Sequence, residues 1–191
     1  MEETFKQISG LNTKCIKIVL FGPESTGKSS LVEALAKHYN TVYVEEFSRK
    51  YAQKKADNNE LLSKDDVLPI AIGQMQLENA QLKNADKLLV CDTDLLETQV
   101  YSQFYYDGYC PDIIKKYALE NTYDLYFLTY IDTVWEADDI RDQPHNRLNL
   151  FNRFEQALID AKKPYIVVKG RFEERLETCK KHIDELLKKA N

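Results

Sequence analysis

The run Gly22-Pro23-Glu24-Ser25-Thr26-Gly27-Lys28-Ser29 has the spacing G-x-x-x-x-G-K-S, which suits the holding of a polyphosphate. Glycines at both ends let the backbone bend until the amides of Ser25 to Ser29 converge on one phosphate. A helix beginning there adds about half a positive charge. Lys28 supplies a mobile cation for the outer phosphates, and the Ser29 hydroxyl is the expected Mg²⁺ ligand. Gly22, Glu24, Ser25, Thr26, Gly27 and Ser30 complete the expected ATP-binding set.

Acidic groups stand where two hydrophobic runs end. Lys87–Cys91 runs into Asp92-Thr93-Asp94, which would deliver Asp92 to the carboxyl edge of a sheet as a Mg²⁺ partner acting through water. Asp94 either faces an acceptor substrate or merely caps the next helix, and the two readings weigh alike. The second run ends in Glu45-Glu46-Phe47-Ser48-Arg49. Strand alternation sends Glu45 and Glu46 to opposite sides, and Glu46 shares a helical face with Arg49, so Glu46 is the expected group to orient or deprotonate an attacking hydroxyl.

Only six arginines stand against twenty lysines, and five of the six follow expected strand ends: Arg49, Arg141, Arg147, Arg153 and Arg171. A planar guanidinium can clamp a transferring phosphoryl group bidentately, which as a cluster places these side chains along the ligand edge, Arg147 and Arg171 beside ATP; for any single one, Arg153 on a helix above all, a surface ion pair is the alternative. The base-reading pattern N-K-x-D of switch GTPases is absent from the sequence, and the chain is short for a motor.

Five short apolar runs, Ile16–Phe21, Thr41–Val44, Lys87–Cys91, Leu125–Ile131 and Tyr165–Val168, read as strands buried on both faces. Helical stretches separate them: 28–39, 47–56, 64–86, 95–106, 110–120, 145–162 and 172–189. Alternating strand and helix predicts an α/β fold, a three-layer α/β/α P-loop NTPase sheet of five parallel strands with the first strand central. One domain spans residues 1–191, with a lid at about 132–149. In the third helix Gly73 and Asn79 interrupt the apolar stripe, which points either to an approaching ligand or to close helix packing. The aromatic run Tyr101, Phe104, Tyr105, Tyr106 and Tyr109 reads mainly as core.

The 191 residues are 43% hydrophobic and 30% charged with a net charge of −5, which excludes overall disorder and disfavours nucleic acid as a partner. The four cysteines and three histidines are scattered, without metal-ligand or disulfide spacing. No leader or membrane-spanning run is present, so a cytoplasmic protein is expected; a homo-oligomer stays open.

With these motifs in this order the chain resembles the ribosylnicotinamide kinase domain of NadR-type proteins. The likeness runs through the phosphate loop, Glu46-Phe47-Ser48-Arg49-Lys50-Tyr51, Ala71-Ile72-Gly73-Gln74, Asp92-Thr93-Asp94 with Thr98-Gln99, and Trp135-Glu136-Ala137-Asp138-Asp139-Ile140-Arg141. It implies transfer of the ATP γ-phosphoryl group to the 5′-hydroxyl of nicotinamide riboside, with ATP and Mg²⁺. It gives Lys28 and Ser29 to ATP and Mg²⁺, Asp92 to the metal shell, and Glu46, Arg49, Asp94, Trp135 and Asp138 to the acceptor. Arg141 is implied as a catalytic lid residue. Asp139 departs from the family's Asp-Gly-x-Arg pattern. About fifteen residues precede the first strand, so neither adenylyl transfer nor transcriptional regulation is expected. The alternatives are a kinase for thiamine or a deoxynucleoside, and a non-catalytic ATP-binding regulatory module.

Overall fold

The computed structural model describes residues 2–8, 15–133 and 146–190. Its frame is a parallel sheet of β1 (Ile16–Phe21), β2 (Tyr43–Val44), β3 (Leu88–Asp92), β4 (Leu125–Thr129) and β5 (Tyr165–Val168) in the order β2-β3-β1-β4-β5. The first strand is central because its residues are apolar on both faces. Ile16, Ile18 and Leu20 meet one helical layer, and Val19 and Phe21 meet the other.

Two helices, α1 (Lys28–Tyr39) and α7 (Phe172–Ala190), cover the first face with Leu31, Leu35, Cys179 and Ile183. The opposite face carries α3 (Val67–Leu82), α4 (Leu95–Tyr105), α5 (Asp112–Glu120) and α6 (Arg147–Asp160), whose Met75, Leu96, Ile114 and Phe154 lie in its core. The remaining helix, α2 (Phe47–Asp57), follows β2. This is the expected three-layer arrangement of five parallel strands.

Boundaries shift where a backbone group finds another partner. Thr41 stays outside β2 because its amide donates to the Ala36 carbonyl, closing α1, while its hydroxyl donates to Leu88. The expected helix from 64 starts at Val67, behind a turn capped reciprocally by Ser63 and Asp66. The Asp66 carboxylate also accepts from Tyr51 at 2.9 Å and Lys55 at 3.1 Å, which ties α2 to α3. These donors outweigh the cost of burial and hold its carboxyl down at about 2. Asn79 is explained by the N-terminal segment, since it accepts from the Ile8 amide and donates to the Lys6 carbonyl.

Gly73 is a packing glycine. A Cβ there would stand 2.2 Å from the Phe47 ring, so the glycine admits α2 against α3. Replacing a helical glycine with alanine ordinarily stabilises by about 1 kcal/mol. Here Gly73→Ala is expected to destabilise by about 1–3 kcal/mol, measured by urea unfolding, because Phe47 must yield.

All four cysteines are free. No helix among the described residues is long and apolar enough to cross a membrane. Most of the expected lid lies outside the described residues, and with it Trp135, Asp138, Asp139 and Arg141.

Candidate active site

Between β1 and α1 the chain turns through Gly22 (φ 132°) and Gly27 (φ 80°). A Cβ on Gly22 would approach Thr129 Oγ1 to 2.9 Å, so the bend excludes larger residues on both conformation and space. Thr26 is buried, with its hydroxyl donating to the Pro23 carbonyl at 2.7 Å and 2.6 Å from the Thr129 hydroxyl. Its side chain shapes the loop and leaves its amide for a ligand. Gly27 offers no capping side chain, and among the described residues no backbone carbonyl takes the amides from Thr26 to Ser30. Unclaimed amides at a helix N-terminus form an anion cradle. Ser29 and Ser30 lie in the first turn of α1 beside it, and Glu24 lies half-buried on the loop.

The Lys28 ammonium is buried, donates to the carbonyls of Gly22 (2.6 Å) and Pro23 (3.1 Å), and stands 3.3 Å from Glu97 Oε1. Burial alone would lower its pKa, but Glu97, Glu46 and Asp92 together hold it above the ordinary value. One cation thus faces three carboxylates. Burial pushes the Glu97 carboxyl well up, and Glu46 and Asp92 push it further. Glu97 was not apparent as a site residue in the sequence. It sits in the first turn of α4, where its other oxygen accepts from the Gly22 amide at 3.2 Å.

Strand register brings the acids to the loop. Leu20 pairs with Asp92 and Val44 with Cys91, so Asp92 and the Glu45-Glu46 corner lie side by side at one edge of the sheet. Gln74 of α3 fixes that corner by accepting from the Phe47 amide at 2.9 Å and donating to the carbonyls of Glu45 (3.3 Å) and Asp92 (3.4 Å). Glu46 accepts from Ser48 at 2.5 Å, whereas Glu45 pairs with Lys50 in solvent. Asp92 is 3% exposed, and its Oδ1 has no hydrogen-bond partner. Burial and then Glu46 raise its carboxyl to about 6 against the opposing pull of Lys28, Ser29 and Arg49. An orphaned buried carboxylate oxygen beside a serine hydroxyl fits a divalent cation that takes its remaining ligands from phosphate and water.

Asp94 resolves toward the cap. Its Oδ1 accepts from the Glu97 amide at 3.0 Å and its Oδ2 from the Tyr126 hydroxyl at 2.7 Å, and the residue is 1% exposed. Both oxygens are engaged inside the protein, which corrects the expectation that Asp94 faces the acceptor.

The arginines divide. Arg147 reaches the loop by donating to the carbonyls of Ser25 (3.3 Å) and Thr133 (2.8 Å). Arg49 is close enough for its charge to lower Asp92, and Arg171 is exposed just after β5. Arg153, for which a surface role was the alternative, lies over the Phe104 ring, 5.5 Å from its centroid. Tyr101, Phe104 and Tyr106 pack against the core as expected, whereas Tyr105 and Tyr109 are exposed, which corrects the reading of the whole aromatic run as core.

A central strand running through this loop into α1, within an all-parallel sheet, defines a P-loop domain of nucleoside and nucleotide kinase type. The chain belongs to the AAA domain family whose model matches residues 17–175. It is 33% identical over 125 residues to the trifunctional NAD biosynthesis/regulator protein NadR of Salmonella typhimurium, covering 65% of this chain and 30% of that protein. A NadR structure in complex with NR superposes over 91% of this chain and 52% of its own, at 20% identity and a TM-score of 0.77. Another, in complex with NAD and AMP-PNP, covers 91% and 50% at 21% identity and a TM-score of 0.74. Deoxyadenosine kinase from M. mycoides with bound dCTP follows at 16% identity and a TM-score of 0.58, covering 89% and 100%. The chain spans about a third of the curated NadR sequence and about half of the NadR chains of known structure.

Proposed function

We propose that this chain transfers the γ-phosphoryl group of ATP to the 5′-hydroxyl of nicotinamide riboside, giving nicotinamide mononucleotide. The observation that carries the reading is the gathering of Asp92 and the Glu46 corner at adjoining strand ends with Lys28 of α1 close enough to feel both charges, and a buried Asp92 oxygen that has no hydrogen-bond partner. Support for the acceptor comes from the likeness to NadR, one of whose structures holds NR.

Amides from Ser25 to Ser29 cradle the β-phosphate, and Lys28 spans the β- and γ-phosphates. Ser29 and Asp92, the latter through water, would hold Mg²⁺, which supplies charge neutralisation along the phosphate chain. Glu46, steadied by Ser48, orients the attacking hydroxyl and takes up its proton as its oxygen bonds to the γ-phosphorus, while the bond from that phosphorus to the bridging oxygen breaks and ADP leaves. Arg49 belongs beside the acceptor, and Arg147 and Arg171 beside ATP. By resemblance, Trp135 and Asp138 are assigned to the acceptor and Arg141 to the lid. A cytoplasmic location follows from the need for ATP.

Incubation with ATP, Mg²⁺ and nicotinamide riboside, thiamine or deoxyadenosine, read by phosphorus NMR, is expected to yield nicotinamide mononucleotide fastest. A different phosphorylated product would replace the acceptor, and tight ATP binding without any product would replace the enzyme by a regulatory module. Glu46→Gln is expected to lower turnover about 100-fold while leaving ATP affinity near wild type. Full turnover in that variant would remove Glu46 as the base.

A further inference from the structure

Arg175 is the largest fully buried side chain among the described residues, at 2% exposure. It lies on α7, and its guanidinium meets four oxygens. Its Nε donates to the Gly170 carbonyl (2.8 Å), Nη1 to the Thr26 carbonyl (2.8 Å), and Nη2 to the Tyr130 carbonyl (2.9 Å) and to Asp132. Asp132 closes the ring by accepting from the Gly170 amide at 2.7 Å. One side chain therefore joins the phosphate loop, the end of β4 and the end of β5.

The grip on Thr26 has a stereochemical effect. The described residues contain no cis peptide bond, and in a planar trans peptide the carbonyl and the following N–H point in opposite directions. Holding the Thr26 carbonyl outward aims the Gly27 amide into the cradle. The preceding peptide is held in the same sense, because the Ser25 carbonyl accepts from Thr133 Oγ1 (2.8 Å) and Arg147 (3.3 Å), which turns the Thr26 amide inward.

We infer that Arg175 is a positioning residue of the nucleotide site. It orients the phosphate-binding amides from behind, and Asp132 holds it in register. The role touches no nucleotide and does not depend on which hydroxyl is phosphorylated, although it rests on the loop taking a nucleoside triphosphate. Preorganised amide dipoles spare the ligand the cost of aligning them, so misaimed peptides weaken binding even in a folded chain.

Arg175→Lys keeps the charge but loses the fork that spans separate carbonyls. Calorimetric titration with MgATP, without acceptor, is expected to show an affinity roughly tenfold lower, the size of one charge-assisted hydrogen bond. Asp132→Asn, which keeps the shape and removes the anchoring charge, is expected to give a smaller loss in the same direction. Melting of each variant is followed in parallel. A lysine variant that melts lower yet binds MgATP within twofold of wild type would show a merely structural anchor and overturn the inference. Wild-type protein that bound no MgATP would remove the inference and the phosphate-loop reading together.

Discussion

Asp92→Asn is expected to lower phosphoryl transfer by about two to three orders of magnitude and, at the same time, to raise the melting temperature of the metal-free protein. Loss of activity follows from removing the carboxylate proposed to order Mg²⁺ against Ser29. The gain in stability follows from burial. Asp92 has one oxygen without a partner, and its carboxyl is raised to about 6 from an ordinary 3.8 by desolvation and by Glu46. A carboxyl whose folded pKa lies above its unfolded value costs stability once it ionises, so the cost is complete above about pH 6 and fades as the pH falls toward 4. A shift of about two units corresponds to about 3 kcal/mol, or on the order of 5–10 °C in a chain of this size. Calorimetric scans of both proteins in chelator should therefore diverge at pH 8 and converge near pH 4. A variant that melts no higher than wild type at pH 8 would refute the stability half, and one that retains turnover would refute the metal assignment.

The parts of this molecule legible in the sequence are those whose physics is local. β1, the phosphate loop and α1 are contiguous, so apolar run, glycine spacing and helix signal lie within one short window. Asp92 was legible for the same reason, since it ends a strand whose run of apolar residues is unmistakable. Asp94 showed where local reasoning divides. A cap and a ligand contact have the same sequence signal, and only Tyr126, 32 positions away, engages the second oxygen.

Residues that act across the fold were hidden. Arg175 meets a carbonyl 149 positions away, but it had a faint signal, because it precedes Cys179 and Ile183 at intervals of four on the buried stripe of α7. An arginine on an apolar stripe needs buried acceptors. Glu97 carried a similar mark among Leu95, Leu96 and Val100 on α4, each buried. Its partner Lys28 lies on another element, and no spacing rule connects them. Scarcity of arginine does not by itself tell a loop contact from a surface one: Arg147 donates to the Ser25 carbonyl of the phosphate loop, whereas Arg153 lies over the Phe104 ring, because an aromatic face competes with a phosphate for a guanidinium.

Glu97 leads to the other large expected effect. Glu97→Ala removes a nearby counter-charge of buried Lys28 and the acceptor of the Gly22 amide together. Breaking a buried pair from one side costs about 3–5 kcal/mol, here moderated by the Gly22 and Pro23 carbonyls that still hold Lys28, so a drop in melting temperature on the order of 5–10 °C is expected. Glu97→Gln keeps the volume and an acceptor for Gly22 but also removes the counter-charge of Lys28, so a loss smaller than that of the alanine variant is expected. The nucleotide offsets part of the alanine variant's loss. Phosphate oxygens would give Lys28 a replacement partner, and the loss of a nearby negative charge removes repulsion toward them. Saturating MgATP should therefore stabilise Glu97→Ala more than it stabilises wild type, by roughly 1–2 kcal/mol on the linkage relation. Thermal shift with and without MgATP separates the cases. An equal shift in both proteins would mean that Lys28 never leaves Glu97 for the ligand, and that Glu97 is a structural partner of the loop rather than a competitor for its lysine.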